Sequence, residues 1–90
     1  MSLTVQYTGQ LANVVGVAEE SVAASDLKSA LDQLVARHGD GYAKLVFDSE
    51  GEIRPSLLVV LDGEQAEGEK ASIDLTNVKN LMLMTPIAGG

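Results

Sequence analysis

The stretch NLMLMTPIAGG, residues 80–90, has the strongest apolar pattern in the chain and ends in two glycines. Successive side chains of a strand point to opposite faces, so Leu81 and Leu83 face one side while Met82 and Met84 face the other. A strand that is apolar on both faces is typical of the interior of a sheet. Residues 80–90 therefore predict a central strand that runs directly into a Gly-Gly end.

A second strand is predicted at the other end of the sequence. Residues 3–8, LTVQYT, alternate between apolar and polar side chains, which indicates a half-buried strand. Because this strand and the last one have the clearest patterns, we expect them to lie side by side, parallel and central. Residues 17–24, VAEESVAA, predict a further strand that forms a hairpin with residues 3–8 through a long connection.

The clearest helix is predicted over residues 25–39, SDLKSALDQLVARHG. Its apolar residues recur at the spacing of one helical face. Ser25 is expected to cap its amino end, and Gly39 is expected to stop it. His38 is interpreted as a residue of the last turn that interacts with the helix dipole rather than as a catalytic base.

The remaining segments predict less regular structure. Residues 40–55 are expected to form a mixed connection, with a short turn or strand over YAKLVF at 42–47. Residues 56–64 predict a strand that ends at an Asp62-Gly63 turn. Residues 65–80 are expected to be irregular, with a short strand possible near 71–75. The elements together predict an α+β fold with one main helix packed on one face of a mixed sheet of four or five strands.

One helix can cover only one face of such a sheet. The other face would then display four apolar side chains from two strands: Leu58, Val60, Met82 and Met84. An exposed apolar patch on a small protein usually marks a partner surface, and methionine adapts well to such surfaces. The alternative is that residues 40–55 fold over this face and bury it. The pattern alone favours neither reading.

Composition excludes several functions. The chain has 90 residues, a net charge of −7 and no cysteine. The acidity argues against nucleic acid and against an anionic membrane surface as partners. The absence of cysteine excludes disulfides, thiolate metal sites and a cysteine nucleophile. No segment is as long as a membrane span and no signal peptide is evident, so we expect one cytoplasmic domain over residues 1–90.

These elements, with the turn in GEIRPSLLVVLDGE at 51–64 and the ending PIAGG at 86–90, resemble the ThiS/MoaD sulfur carriers, and the MoaD and CysO branch in particular. The resemblance covers nearly the whole chain and implies the ubiquitin-like β-grasp fold. Two departures concern the partner surface. The family often has an Asp-Gly-Asp turn before the last strand, where this chain has residues 77–80, NVKN. Met84 also stands where the family often has an aromatic residue.

The resemblance implies a carrier that is the substrate of another enzyme, not an enzyme itself, although it could be the small subunit of a sulfur-transferring synthase. An E1-like adenylating enzyme of the MoeB/ThiF kind would use ATP to adenylate the carboxylate of Gly90, and a sulfur donor would convert it to a thiocarboxylate. A downstream synthase would then accept the sulfur, in the synthesis of molybdopterin, cysteine or a related product. No catalytic residue, metal ligand or bound cofactor is implied in this chain.

The tail suits that chemistry. Gly89 and Gly90 have no Cβ, so their backbone can approach a nucleotide closely, and Ala88 is nearly as thin. Residues 87–90, predicted to be an extended and flexible tail, can span about 13 Å at roughly 3.3 Å per residue. Pro86 stiffens the point of departure, and Ile87 begins the segment that would enter the channel of the enzyme.

Two other functions remain open. A ubiquitin-like protein modifier would use the same tail, with the Gly90 acyl group transferred to a lysine amine instead of sulfur. A non-catalytic β-grasp binding subunit would use only the apolar face of the sheet. The sequence does not separate the carrier from the modifier, because both need the same ending.

Overall fold

The computed structural model describes residues 2–66 and 68–85. Its strands are β1 (Leu3–Tyr7), β2 (Glu19–Val22), β3 (Leu58–Leu61), β4 (Glu64–Gln65) and β5 (Asn80–Met84). Its helices are α1 (Gly9–Val15), α2 (Leu27–His38), α3 (Asp40–Val46) and a short 3₁₀ turn at Lys70–Ser72. The strands form one mixed sheet in the order β2-β1-β5-β3-β4, so the fold is α+β.

The two strands with the clearest sequence patterns occupy the middle of the sheet, as predicted. β1 and β5 are parallel, and Tyr7 pairs with Leu83. β2 is antiparallel to β1, and β3 is antiparallel to β5. β4 pairs with β3 after the Asp62-Gly63 turn. Both turn residues have positive φ, +48° and +89°, as a tight two-residue hairpin requires.

The core lies between one face of the sheet and the helices. Alternate residues of the central strands are buried there, Val5, Leu81 and Leu83 at 0% exposure. Of the five apolar residues predicted on one face of α2, the core receives Leu27, Ala30, Leu31 and Leu34, while Val35 is only partly buried. At about 25 cal/mol per Å² of apolar area, burial of this face is the main stabilising contribution to the fold.

The predicted main helix is α2, and the described chain also forms two shorter helices of seven residues each that were not predicted. α1 occupies the connection between β1 and β2 and buries Leu11. α3 replaces the turn or strand expected at 42–47 and buries Tyr42 and Val46. A helix of two turns contains too few residues for the 3.6-residue spacing of its apolar side chains to be recognised in the sequence.

Two smaller predictions are corrected, and a third is confirmed. Asp26, not Ser25, caps α2, and its carboxylate accepts a hydrogen bond of 2.7 Å from the backbone N–H of Ser29. The strand considered near 71–75 is a 3₁₀ turn followed by a single bridge between Asp26 and Asp74. Gly39 ends α2 as predicted, with φ of +89° and its N–H donated to the carbonyl of Val35.

Candidate functional site

The four residues predicted as a partner surface lie together on the face of the sheet opposite the core. Leu58 pairs with Met84, and Val60 pairs with Met82, across the antiparallel ladder between β3 and β5. Leu58 is 37% exposed and the other three are partly exposed. These four residues are called the outer strip. The structure thus brings the predicted residues into two adjacent cross-strand pairs.

The outer strip exists because the helices pack on the other face. Neighbouring residues on the same strands, Leu81, Leu83 and Val59, are buried in the core with exposures of 0–1%. Strand alternation then directs the residues between them outward. The apolar side chains on one face of β3 and β5 therefore lie in the core, and those on the other face lie at the surface.

Residues 40–55 do not cover the outer strip. α3 packs against α1 and α2, which lie on the core side of the sheet. Beyond α3, Arg54 donates from Nε to the carbonyl of Lys44 at 2.8 Å. Nζ of Lys28, a residue of α2, lies over the ring of Phe47 at 5.2 Å from the ring centroid. These contacts hold the segment beside the helices, so the alternative in which it buries the strip is wrong.

The predicted tail follows directly from the strip. β5 ends at Met84, and the described chain continues to Thr85. The predicted tail residues lie outside the described part of the chain: Pro86, Ile87, Ala88, Gly89 and Gly90. Since β1 and β5 are parallel, the chain leaves the sheet beside the carboxyl end of β1. Met84 and Leu58 of the outer strip therefore lie at the end of the sheet where the described chain leaves β5.

A second polar cluster lies elsewhere, on the core side of the edge strand β2. The carboxylate of Glu20 accepts hydrogen bonds from the hydroxyl of Tyr7 at 2.7 Å and from Nη1 of Arg37 at 2.8 Å. Nε2 of His38 is 2.6 Å from the same carboxylate, and its ring stacks on Tyr42. The sequence analysis placed His38 correctly in the last turn of α2. It gave no sign that His38 contacts Glu20, because the two residues are distant in sequence.

The contacts of this cluster favour an ionised Glu20 carboxylate and neutral Tyr7 and Tyr42 phenols. Burial works to raise the pKa of Glu20, but the hydrogen bonds from Tyr7, Arg37 and His38 outweigh it and lower the pKa below its ordinary 4.5. Burial raises the pKa of Tyr7 far above its ordinary 10.0, and the hydrogen bonds to Tyr42 and Glu20 add to this. Because each side chain of the cluster already has a hydrogen-bonding or stacking partner within it, we interpret the cluster as structural.

Two further observations bear on chemistry. Among residues 2–66 and 68–85, no group of three or more His, Asp or Glu side chains could hold a metal ion. In the same part of the chain, no helix has the length and apolarity needed to cross a membrane.

Comparison with solved structures places this geometry among known proteins. SAMP1 from Haloferax volcanii is 28% identical, with a TM-score of 0.76 and 100% of both chains covered. Small archaeal modifier protein 1 from Methanosarcina acetivorans is 18% identical, with a TM-score of 0.73 and coverages of 99% of this chain and 96% of that one. The sequence matches no protein-family model and no curated protein.

A third structure extends the likeness to another group. It is a candidate molybdopterin converting factor, subunit 1, from Pyrococcus furiosus, 15% identical over 97% of this chain and 99% of that one, with a TM-score of 0.70. The fold is the ThiS/MoaD-like β-grasp. At 15–18% identity the similarity shows the fold alone, and the match to the Haloferax protein adds sequence identity over the full length of both chains. The resemblance noted from the sequence is confirmed at the level of the fold.

Proposed function

We propose that this ThiS/MoaD-like protein is a carrier whose Gly90 carboxylate is activated by an E1-like enzyme and then converted to a thiocarboxylate. The observation that carries the proposal is the full-length similarity to SAMP1 from Haloferax volcanii, at 28% identity. The geometry supports it, because Met84 and Leu58 of the apolar outer strip lie at the end of the sheet where β5 stops, two residues before the undescribed Pro86.

The chemistry takes place on the partner. A carboxylate oxygen of Gly90 attacks the α-phosphate of ATP and releases pyrophosphate, which gives an acyl-adenylate. Sulfide then attacks the acyl carbon and expels AMP, which gives the thiocarboxylate with no change of oxidation state. This chain contributes docking and delivery: the outer strip would bind the enzyme, while residues Pro86, Ile87, Ala88 and Gly89 would thread the channel. Since the chain has no cysteine, the Gly90 carboxyl is its one group suited to carry the sulfur.

The direct test is the intact mass of the chain after incubation with ATP, sulfide and a MoeB/ThiF-like enzyme from the same organism. Replacement of one oxygen by sulfur is expected in the wild type and absent from a variant that lacks Gly90. The unreacted mass also reports whether Gly90 bears a free carboxylate. If wild type gains no sulfur, or the truncated variant gains it as well, the proposal is wrong.

A second candidate is a protein modifier, favoured by the description of the Haloferax and Methanosarcina proteins as small archaeal modifiers. The same adenylate would then be attacked by a lysine amine, with AMP as the leaving group. Lysines that carry residues 80–90, NLMLMTPIAGG, as the remnant of tryptic cleavage after Lys79 would identify this role. They should vanish in cells that express only the variant without Gly90.

A further inference from the structure

Two threonine hydroxyls are buried without a hydrogen-bonding partner. Within residues 2–66 and 68–85, the side-chain polar atoms in this condition are Oγ1 of Thr8 and Oγ1 of Thr85. A buried hydroxyl without a partner loses the hydrogen bonds that it would make to water, so such groups are rare in folded proteins. Neither hydroxyl therefore stabilises the fold in this conformation, and both need another explanation.

Both threonines follow the ends of the two central strands. Thr8 comes directly after β1, which ends at Tyr7, and Thr85 comes directly after β5, which ends at Met84. β1 and β5 are parallel neighbours, and Tyr7 pairs with Leu83. The two unbonded hydroxyls therefore lie at the end of the sheet where the chain leaves β5.

Thr8 occupies a position where a threonine normally caps a helix. It precedes α1 with an extended backbone, φ −136° and ψ 162°, but its side chain makes no capping hydrogen bond. A threonine in this position usually accepts a hydrogen bond from a backbone N–H of the first helical turn. Because α1 does not use the hydroxyl of Thr8, this group can serve another partner.

The backbone beyond Met84 has no neighbouring strand in the described sheet. On one side, β1 stops at Tyr7 and the chain turns into α1 at Gly9, which has a φ of +61°. On the other side, β3 begins at Leu58, which pairs with Met84. Backbone polar groups that are removed from water need hydrogen-bonding partners. In an enzyme channel, the first residues after Thr85 would therefore need partners that the ladder of the sheet does not supply.

We infer that Thr8 and Thr85 are positioning residues, whose hydroxyls form hydrogen bonds to the backbone of residues 86–90 when this segment enters the activating enzyme. This inference rests on the proposed function. Thr85 suits the first bond, because a threonine hydroxyl can accept from the N–H two residues later in the chain. That N–H belongs to Ile87, and Pro86 between them has no N–H to compete for the hydroxyl. The hydroxyl of Thr8 supplies a donor for a carbonyl of the same segment.

Replacement of threonine by valine separates this role from a structural one. Valine keeps the branched shape and removes the hydroxyl, so it leaves no unpaired polar group behind. If the hydroxyls are unbonded in the free chain, Thr8→Val and Thr85→Val should leave the melting temperature unchanged or raise it. Thr4→Val is the matched control, because Thr4 lies on β1 and pairs with Asn80 at the opposite end of β5.

The experiment follows the initial rate of sulfur gain by intact mass, with ATP, sulfide and the MoeB/ThiF-like enzyme from the same organism, over a range of chain concentrations. Thr8→Val and Thr85→Val are each expected to lower kcat by about five- to ten-fold, the effect of one lost hydrogen bond. KM should change by less than about two-fold, because the bonds form only after docking. Thr4→Val should change neither constant by more than about two-fold. Thr8→Ser and Thr85→Ser retain the hydroxyl and should restore most of the rate.

The outcomes separate the two proposals. A lower kcat that serine restores, at an unchanged or higher melting temperature, would support the positioning role. Valine variants that gain sulfur as fast as wild type would overturn that role and leave the carrier function intact. Valine variants with a lower melting temperature would show that the hydroxyls are already bonded in the free chain, which also overturns it. If wild type gains no sulfur, the proposed function fails and this inference fails with it.

Discussion

Nε2 of His38 lies 2.6 Å from Oε2 of Glu20, and this contact joins the last residue of α2 to the edge strand β2. The same helix also binds the backbone of that edge. Arg37 donates to the carbonyl of Ser21 at 2.9 Å, and Gln33 donates to the carbonyl of Ala23 at 2.7 Å. Unpaired strand edges invite association with other chains, so α2 occupies hydrogen-bonding positions that a foreign strand would use.

Replacement of Glu20 should remove the charged contacts of this connection, while the bonds of Arg37 to Ser21 and of Gln33 to Ala23 remain. Glu20→Gln is expected to lower the free energy of unfolding at neutral pH by about 1.5–3 kcal/mol, the usual value of hydrogen bonds to a charged group. Because the pKa of Glu20 is lowered in the folded chain, its stabilisation is complete above pH 4.5 and is lost as the pH falls from 4.5 through the lowered pKa. The difference between wild type and variant should therefore shrink below pH 4.5.

The measurement is urea unfolding of both proteins across the acid range. Glu19→Gln is the matched control, because Glu19 is exposed on the outer face and its substitution should leave the unfolding free energy within about 0.5 kcal/mol. A wild type and Glu20→Gln variant that differ equally at pH 3 and pH 7 would show that the ionised carboxylate is not the stabilising species.

The two tyrosines should ionise only when the chain unfolds. Tyr42 donates to the hydroxyl of Tyr7 at 3.3 Å, and burial raises the pKa of both phenols above 10.0. Neutral phenols therefore stabilise the fold fully below pH 10.0, and this stabilisation is lost as the pH rises further. Since the chain has no other tyrosine, tyrosinate absorbance should appear in a single step with the loss of helical dichroism. Gradual ionisation near pH 10.0 in the folded chain would contradict this.

The strands and α2 were predictable because their patterns are local and long enough to establish a period. Leu81 and Leu83 alternate with Met82 and Met84, and the structure buries the first pair and exposes the second in part. The placement of the outer strip followed from alternation, since β3 has the same two-faced pattern. The central, parallel pairing of β1 and β5 was predicted because these two strands have the clearest sequence patterns, and the structure confirms it.

The remaining features depend on contacts that are distant in sequence. Ser25 and Asp26 both have side chains that can cap a helix, so the sequence alone did not identify Asp26 as the cap. In the structure Asp26 accepts the capping hydrogen bond and also forms a β-bridge with Asp74, which is distant in sequence. Glu20 and His38 are 18 residues apart in sequence, and they come into contact because α2 packs against the sheet. Val17 falls within the strand predicted over residues 17–24, but β2 begins at Glu19 and Val17 lies in the bend that precedes it.

The β3–β4 turn should depend on the side chain of Asp62 as well as on its backbone. Asp62 has a φ of +48°, and its Oδ1 accepts from the N–H of Asn80 at 2.8 Å, which ties the turn to the start of β5. Asp62→Ala should cost about 1–3 kcal/mol, because it removes the acceptor and places alanine in a left-handed conformation. Asp62→Asn should cost less, since asparagine tolerates positive φ and retains an acceptor oxygen. Thermal unfolding of both variants distinguishes them, and equal losses would exclude the side-chain bond.

The two faces of β5 should respond differently to the same kind of truncation. Leu83 is fully buried in the core, so Leu83→Ala should lower the free energy of unfolding by about 2–5 kcal/mol. Met84 is the next residue and points to the outer face, so Met84→Ala should cost less than about 1 kcal/mol. If Met84 serves docking, Met84→Ala should weaken enzyme binding while the protein remains folded at the temperature of the assay. Similar unfolding losses at both positions would instead mean that the outer strip is part of the core, and a partner surface on this face would have to be abandoned.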